Sequence, residues 1–187
     1  MKTIKIIGFI LITTGISLNI YNKIDERNKI IRESNKIEST LKKEVNYRYV
    51  DNSYDAILSI PKINLKKGIY TIDDKRNNIE ENIMVHKESI YPDQNNSNII
   101  LIAHSGSGEK AIFKDLKNLN DDSLIEFYYH HTKYVYKIDT IYCIEKTGEA
   151  SIKKNGNKKT ITLITCDSND KTKQVVYIGY LIDEIKY

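Results

Sequence analysis

Two short apolar runs, each ending in a chemically active side chain, constrain this chain more than any other feature. Thr162-Leu163-Ile164-Thr165 stops at Cys166, and Ile99-Ile100-Leu101-Ile102-Ala103 stops at His104. Runs of this length and β-branched content read as buried strands. A residue at a strand's mouth stands where the backbone passes into a loop that meets solvent. A thiol and an imidazole at two such mouths are the minimum parts of a cysteine nucleophile with an acid/base partner. They work together only if the two strands, about sixty residues apart in the chain, lie side by side.

The pattern from Tyr54 onward is that of a mainly β domain. Ala56-Ile57-Leu58-Ser59-Ile60 reads as a strand halted by Pro61, which fixes φ and lacks an N–H. Strands are also expected at 68–72, at 82–86, and at 98–104, this last buried on both faces. Further strands are expected at 123–129, 133–145, 160–165 and 173–182. Residues 111–119 have helical spacing, with Ile112, Leu116 and Leu119 on one side. Lys153 to Lys159, centred on Asn155-Gly156, is expected to form a basic turn. Eight strands with little helix predict a closed or nearly closed β-barrel.

The amino-terminal part is different. Residues 6–22 carry no charge, and as a helix these seventeen residues reach about 25 Å, slightly short of a bilayer core of about 30 Å. Lys2 and Lys5 stand in front of them, and the segment around Ser17-Leu18-Asn19 is a poor cleavage site. The expectation is an uncleaved signal anchor over residues 1–22, with the amino terminus in the cytoplasm and the bulk of the chain outside. Residues 23–53 then form a helical stalk or linker, and 54–187 the folded domain.

Charge excludes little and supports no nucleic-acid partner. The net +4 is the difference between 29 Lys+Arg and 25 Asp+Glu, and no arginine-rich run is present. Of the two cysteines, Cys143 lies inside Ile141-Tyr142-Cys143-Ile144 and reads as a buried structural thiol rather than half of a disulfide. His86 reads as structural, and His130 and His131 as solvated residues of a strand-to-strand turn. Glu80, Glu81, Asp121 and Asp122 form exposed pairs, so no metal site and no cofactor are expected.

The order of these parts resembles the sortase family of cell-surface transpeptidases. The resemblance runs from Ala56 to Leu181 and is carried by three stretches. These are Ile57-Leu58-Ser59-Ile60-Pro61-Lys62-Ile63, then Asn98 to His104 followed by Phe113-Lys114-Asp115-Leu116, and most specifically Thr162 to Cys166. The chain has no carboxyl-terminal apolar span and no lid motif of the pilin-polymerising members, which makes it similar to class A or D.

The resemblance implies an eight-stranded sortase-like β-barrel with short helices, held by a single membrane pass at a Gram-positive-type cell surface. It implies a reaction in which Cys166 cleaves the carboxyl-terminal sorting signal of a surface protein and holds the acyl group as a thioester. An amine of a cell-wall precursor or of a pilin-like protein then accepts it, with His104 as the acid/base. Ala103, Ser105 and Thr165, which flank the imidazole and the thiol, are expected to border the bound peptide.

One position departs from the family. The arginine expected eight residues past the cysteine is here Gln174, and all four arginines, Arg27, Arg32, Arg48 and Arg76, lie far upstream. Glutamine keeps hydrogen-bond donors but has neither the charge nor the five-donor fork. Gln174 is therefore expected to act as a neutral donor to the oxyanion. Two other outcomes are compatible with the substitution: a cysteine hydrolase on the same barrel, or a weakened surface-binding module.

Overall fold

The computed structural model describes residues 2–44, 54–148, 150, 152 and 156–186, and within the first helix it describes side chains only for residues 14–40. The chain divides into two compact units, Met1–Ser39 and Thr40–Tyr187. The first is a single helix, α1 (Lys2–Glu44), which continues a few residues past that division. It covers the expected anchor and the first part of the expected stalk. Residues 45–53 of the stalk lie outside the described residues. Among the described residues no helix is long and apolar enough to cross a membrane. Most of the expected anchor, residues 1–13, falls outside the described side chains.

The second unit holds eight strands: β1 (Ala56–Ile60), β2 (Leu65–Ile69), β3 (Met84–Val85), β4 (Asn98–Ile102), β5 (Leu124–Tyr129), β6 (Thr132–Glu145), β7 (Thr160–Cys166) and β8 (Lys173–Lys186). They form one sheet in the order β2-β1-β5-β6-β8-β7-β4-β3. Pro61 ends β1 as expected and opens a one-turn 3-10 helix, Pro61–Ile63. The second strand begins earlier than its sequence pattern suggests, because Lys66 and Lys67 pair with Ser59 and Leu58 across the β1–β2 hairpin.

The expected helix over 111–119 is not an α-helix. It is a series of turns ending in a 3-10 helix, Leu116–Asn118. Of the expected stripe, Leu116 and Leu119 are buried and Ile112 partly so, and Phe113, outside the stripe, is buried with them, so tertiary packing rather than helical hydrogen bonding satisfies the pattern.

Alternation along the strands sorts side chains to two faces. One face fills the barrel with Leu58, Ile60, Ile99, Leu101, Phe127, Tyr136, Ile161 and Leu163. Each such side chain contributes roughly 1.5–3 kcal/mol by leaving water. The other face of β4, β7 and β8 carries a second, smaller apolar group, Ile100, Ile164, Val176 and Ile178, against which Ile102, Tyr142, Ile144 and Ile152 pack. This two-sided burial is why β4 and β7 read as continuous apolar runs.

The sheet edges β2 and β3 are bridged by asparagine amides. Asn82 Nδ2 donates to Gly68 O at 2.8 Å. Asn77 exchanges two bonds with the Val85 backbone and a third with Ile72 O. Side-chain amides thus satisfy backbone groups that a further strand would otherwise pair, and the barrel is nearly closed.

Cys143 differs from its expectation. Both cysteines are free, and Cys143 is exposed. The far half of β6 runs past the core, so only its even-numbered face meets the second apolar group and its odd-numbered face meets water. The Cys143 Sγ lies 3.8 Å from Asp167 Oδ2. Desolvation first and the Asp167 charge second push this thiol up from its ordinary range. His130 and His131 form the two-residue β5–β6 turn as expected, both at positive φ (45° and 58°), which suits a right-twisted hairpin.

Candidate active site

The two apolar runs do lie side by side. β4 and β7 pair in parallel, with Asn98 opposite Thr160, Ile100 opposite Thr162 and Ile102 opposite Ile164. Carried two residues further, this register brings His104, just past the end of β4, level with Cys166 at the end of β7. The pairing persists past the strand end, since Ala103 N donates to Ile164 O at 3.3 Å.

Side-chain bonds stitch the same pair of strands. Thr162 Oγ1 donates to Asn98 Oδ1 at 2.9 Å, Thr165 Oγ1 to Ala103 O at 2.8 Å, and Ser105 Oγ to Cys166 O at 2.6 Å. Ala103 and Thr165 are buried. Three residues expected to border a peptide are therefore found fastening the two mouths together. After His104 the chain turns through Gly106 and Gly108, both at positive φ. It is then pinned back where Phe113 N donates to His104 O at 2.9 Å.

Neither reactive group is sealed. Cys166 is half-buried, and the His104 side chain is 35% exposed. Among the described residues the imidazole is hydrogen-bonded to Glu80, its Nε2 lying 3.0 Å from Oε1, rather than to the thiol. Lys110 Nζ holds the other Glu80 oxygen at 2.8 Å. The Lys110 hydrogen bond, and after it the one to His104, keeps the Glu80 carboxyl below the usual carboxylate range. Glu80 thus stays charged beside the ring. At the thiol, Lys146 Nζ lies 3.6 Å from Cys166 Sγ.

Gln174 stands directly opposite Cys166 across β7–β8. Opposed residues share a face, so its amide and the thiol project to the same side of the sheet. That side opens into a cavity of about 890 Å³. Its floor is Ile100 and Ile102 of β4, Ile164 of β7 and Gln174 of β8. One wall is His86, Lys87 and Glu88, and the other is Lys146, Thr147, Gly148, Ala150 and Ile152 from the β6–β7 segment. The cavity's lining is evenly divided between apolar side chains and polar or charged ones.

Sequence reading did not find Glu80 at the imidazole, His86 in the cavity wall or Lys146 at the sulfur. Glu80 and Lys146 come from segments with no motif of their own, Glu80 from the stretch before β3, which pairs with β4, and Lys146 from the end of β6, which reaches β7 across β8. The basic turn at 153–159 lies partly outside the described residues.

Comparison with known proteins agrees with this architecture. The family model for the sortase domain matches residues 58–182. A search of curated proteins gave no match. Among solved structures, sortase A from Corynebacterium diphtheriae, a lid mutant, is similar at 21% identity and a TM-score of 0.63, covering 74% of this chain and 75% of that one. A sortase D5 transpeptidase from Clostridium perfringens is similar at 21% identity and 0.62, covering 81% and 98%. Sortase C1 from Streptococcus agalactiae is similar at 21% and 0.61, covering 76% of each chain. Neighbours named A, C and D stand at nearly equal distance, so the likeness does not select a class. With a matched domain that spans most of the sequence and a barrel shared with these structures, the chain belongs to the sortase family.

Proposed function

We propose that this sortase-family protein is a cysteine transpeptidase. Cys166 attacks the scissile carbonyl of a carboxyl-terminal sorting signal, forming a C–S bond while the carbonyl electrons move to oxygen. Gln174 Nε2 and a backbone N–H receive that oxyanion. Collapse breaks the C–N bond, and His104 gives its proton to the departing amine. An incoming amine then attacks the thioester, His104 takes its proton, and the acyl group passes to a cell-wall precursor or another surface protein. Ala103, Ser105 and Thr165 contribute by fixing the two walls between which the peptide lies, and the cavity holds its apolar side chains. Residues 1–22 anchor the enzyme in the cytoplasmic membrane with the barrel outside, supported by the uncharged span of residues 6–22 behind two lysines.

The observation that supports this reading is the parallel β4–β7 pairing, whose register brings the chain at His104 and Cys166 to one end of the sheet. The test is product analysis. The purified protein is incubated with a library of sorting-signal pentapeptides, with and without triglycine as acceptor amine. A transpeptidase gives peptide–triglycine conjugates. Cleaved acid alone in both arms would make it a hydrolase, and neither product would make it a binding module.

A further inference from the structure

We propose that Lys146 is a catalytic residue whose ammonium group holds the negative charge of the Cys166 thiolate. This rests on the reading of Cys166 as the nucleophile. The contact is direct, with Nζ 3.6 Å from Sγ. Strand parity explains it. Cys166 is opposite Gln174 across β7–β8, and Gln174 is opposite Ile144 across β8–β6, so the three form one transverse row on one face. Lys146 follows two residues beyond Ile144 and therefore projects to the same face. Its backbone is held there, with N donating to Thr172 O at 2.8 Å. From β6 to β7 is two strand spacings, about 10 Å, a distance that a lysine's four-carbon stem and the lean of the chain span together. The side chain lying between them on β8 is Gln174, which brings no competing charge.

Three of the nearby charges are committed elsewhere, while Lys87 and Glu88 stand in the opposite wall of the cavity. Asp167, next in the chain to the nucleophile, faces Cys143 and accepts the Asn169 N–H. Glu80 is shared between Lys110 and His104. Lys173 pairs with Asp170 at 3.3 Å. Among the described residues Lys146 has no carboxylate within ion-pair distance, and its contact is the sulfur. An adjacent cation is one of the means by which a cysteine is kept as thiolate at neutral pH. In the reaction the thiol proton passes to His104, the sulfur lone pair forms the C–S bond, and His104 delivers the proton to the leaving amine. Lys146 keeps all its protons throughout. The charge absent from position 174 is thus supplied from the end of β6, and the neutral Gln174 is left to serve the oxyanion.

The test needs no substrate. The rate of Cys166 carboxamidomethylation by iodoacetamide at pH 7 is followed by peptide mass spectrometry, with Cys143 in the same molecule as reference. Lys146→Met slows Cys166 about tenfold, Lys146→Arg keeps it within about threefold of wild type, and Cys143 is unchanged in both. Equal Cys166 rates in wild type and Lys146→Met, at unchanged far-UV circular dichroism, would overturn the assignment. Sorting-signal peptides then separate the two claims. If they fail to acylate even wild type while the alkylation difference stands, the transpeptidase reading fails and Lys146 remains the thiolate's partner. If they acylate wild type and Lys146→Met equally and alkylation is also equal, Lys146 fails and the reading remains.

Discussion

In the proposed mechanism Gln174 and Lys146 divide between them two tasks that one arginine would combine, and this division makes them separable by experiment. Gln174→Ala removes a neutral donor from the oxyanion and leaves the ammonium at the sulfur. We expect acylation by a sorting-signal peptide to fall on the order of 10²-fold, with the iodoacetamide rate at Cys166 unchanged. Stopped-flow acylation beside alkylation kinetics checks this, and a parallel fall in both rates would contradict it. That Cys166 and His104 lie at neighbouring strand ends was legible in the sequence because each terminates a run of the right composition, and the place of Gln174 across from Cys166 because it stands a fixed distance from it. Lys146 was not legible. Its contact with the sulfur follows from a register across three strands, which no local pattern of Ile144-Glu145-Lys146 encodes. Cys143 was misread for the related reason that a β-branched neighbourhood predicts a strand but not how far that strand outruns the core.

At the level of elements, most strands were visible because apolar alternation and turn residues agree. The segment 111–119 was not, because its helical spacing serves burial of Leu116 and Leu119 without an α-helical backbone. Between β2 and β3 the barrel depends on features that spacing does not reveal. Gly68 is one. A methyl group there would meet the Tyr54 ring at 1.9–2.2 Å, and that ring is buried and packed against Tyr70 at 4.9 Å between centroids. Gly68→Ala is expected to destabilise the domain by roughly 1–3 kcal/mol, as overpacking of a filled core does. Urea denaturation measures it, and an unchanged midpoint would show that Tyr54 moves aside freely. Because Gly68 O also accepts from Asn82, the same substitution should raise hydrogen exchange at 82–85 more than at β7.

For the molecule as a whole, the buried phenols set an alkaline limit. Burial, and after it the charge of Cys143, pushes Tyr177 up to about 12. Burial, and after it the Glu126 hydrogen bond, pushes Tyr128 up to about 12. Burial raises Tyr136 further still. A phenol whose folded value lies above the unfolded value near ~10 leaves stability intact below that pH, and stability is lost as pH rises through the folded value. The urea midpoint should therefore hold steady to about pH 10 and fall between about 10 and 12, with Tyr177 alone accounting for on the order of 2 kcal/mol. The share of tyrosinate absorbance at 295 nm that belongs to these buried phenols should rise with unfolding rather than ahead of it. The architecture itself, eight strands in one nearly closed sheet, was legible from periodicity. The closure of β2 towards β3 through asparagine amides was not, because it uses side chains that composition assigns to loops. The central claim is that Cys166 carries an acyl group. Intact-mass spectrometry after acid quench of the protein with a sorting-signal peptide tests it most directly. The account predicts an added mass equal to the acyl fragment, released by hydroxylamine, mapped to Cys166 and absent in Cys166→Ala. An adduct mapped to Cys143, or none in wild type across the peptide library, would contradict it.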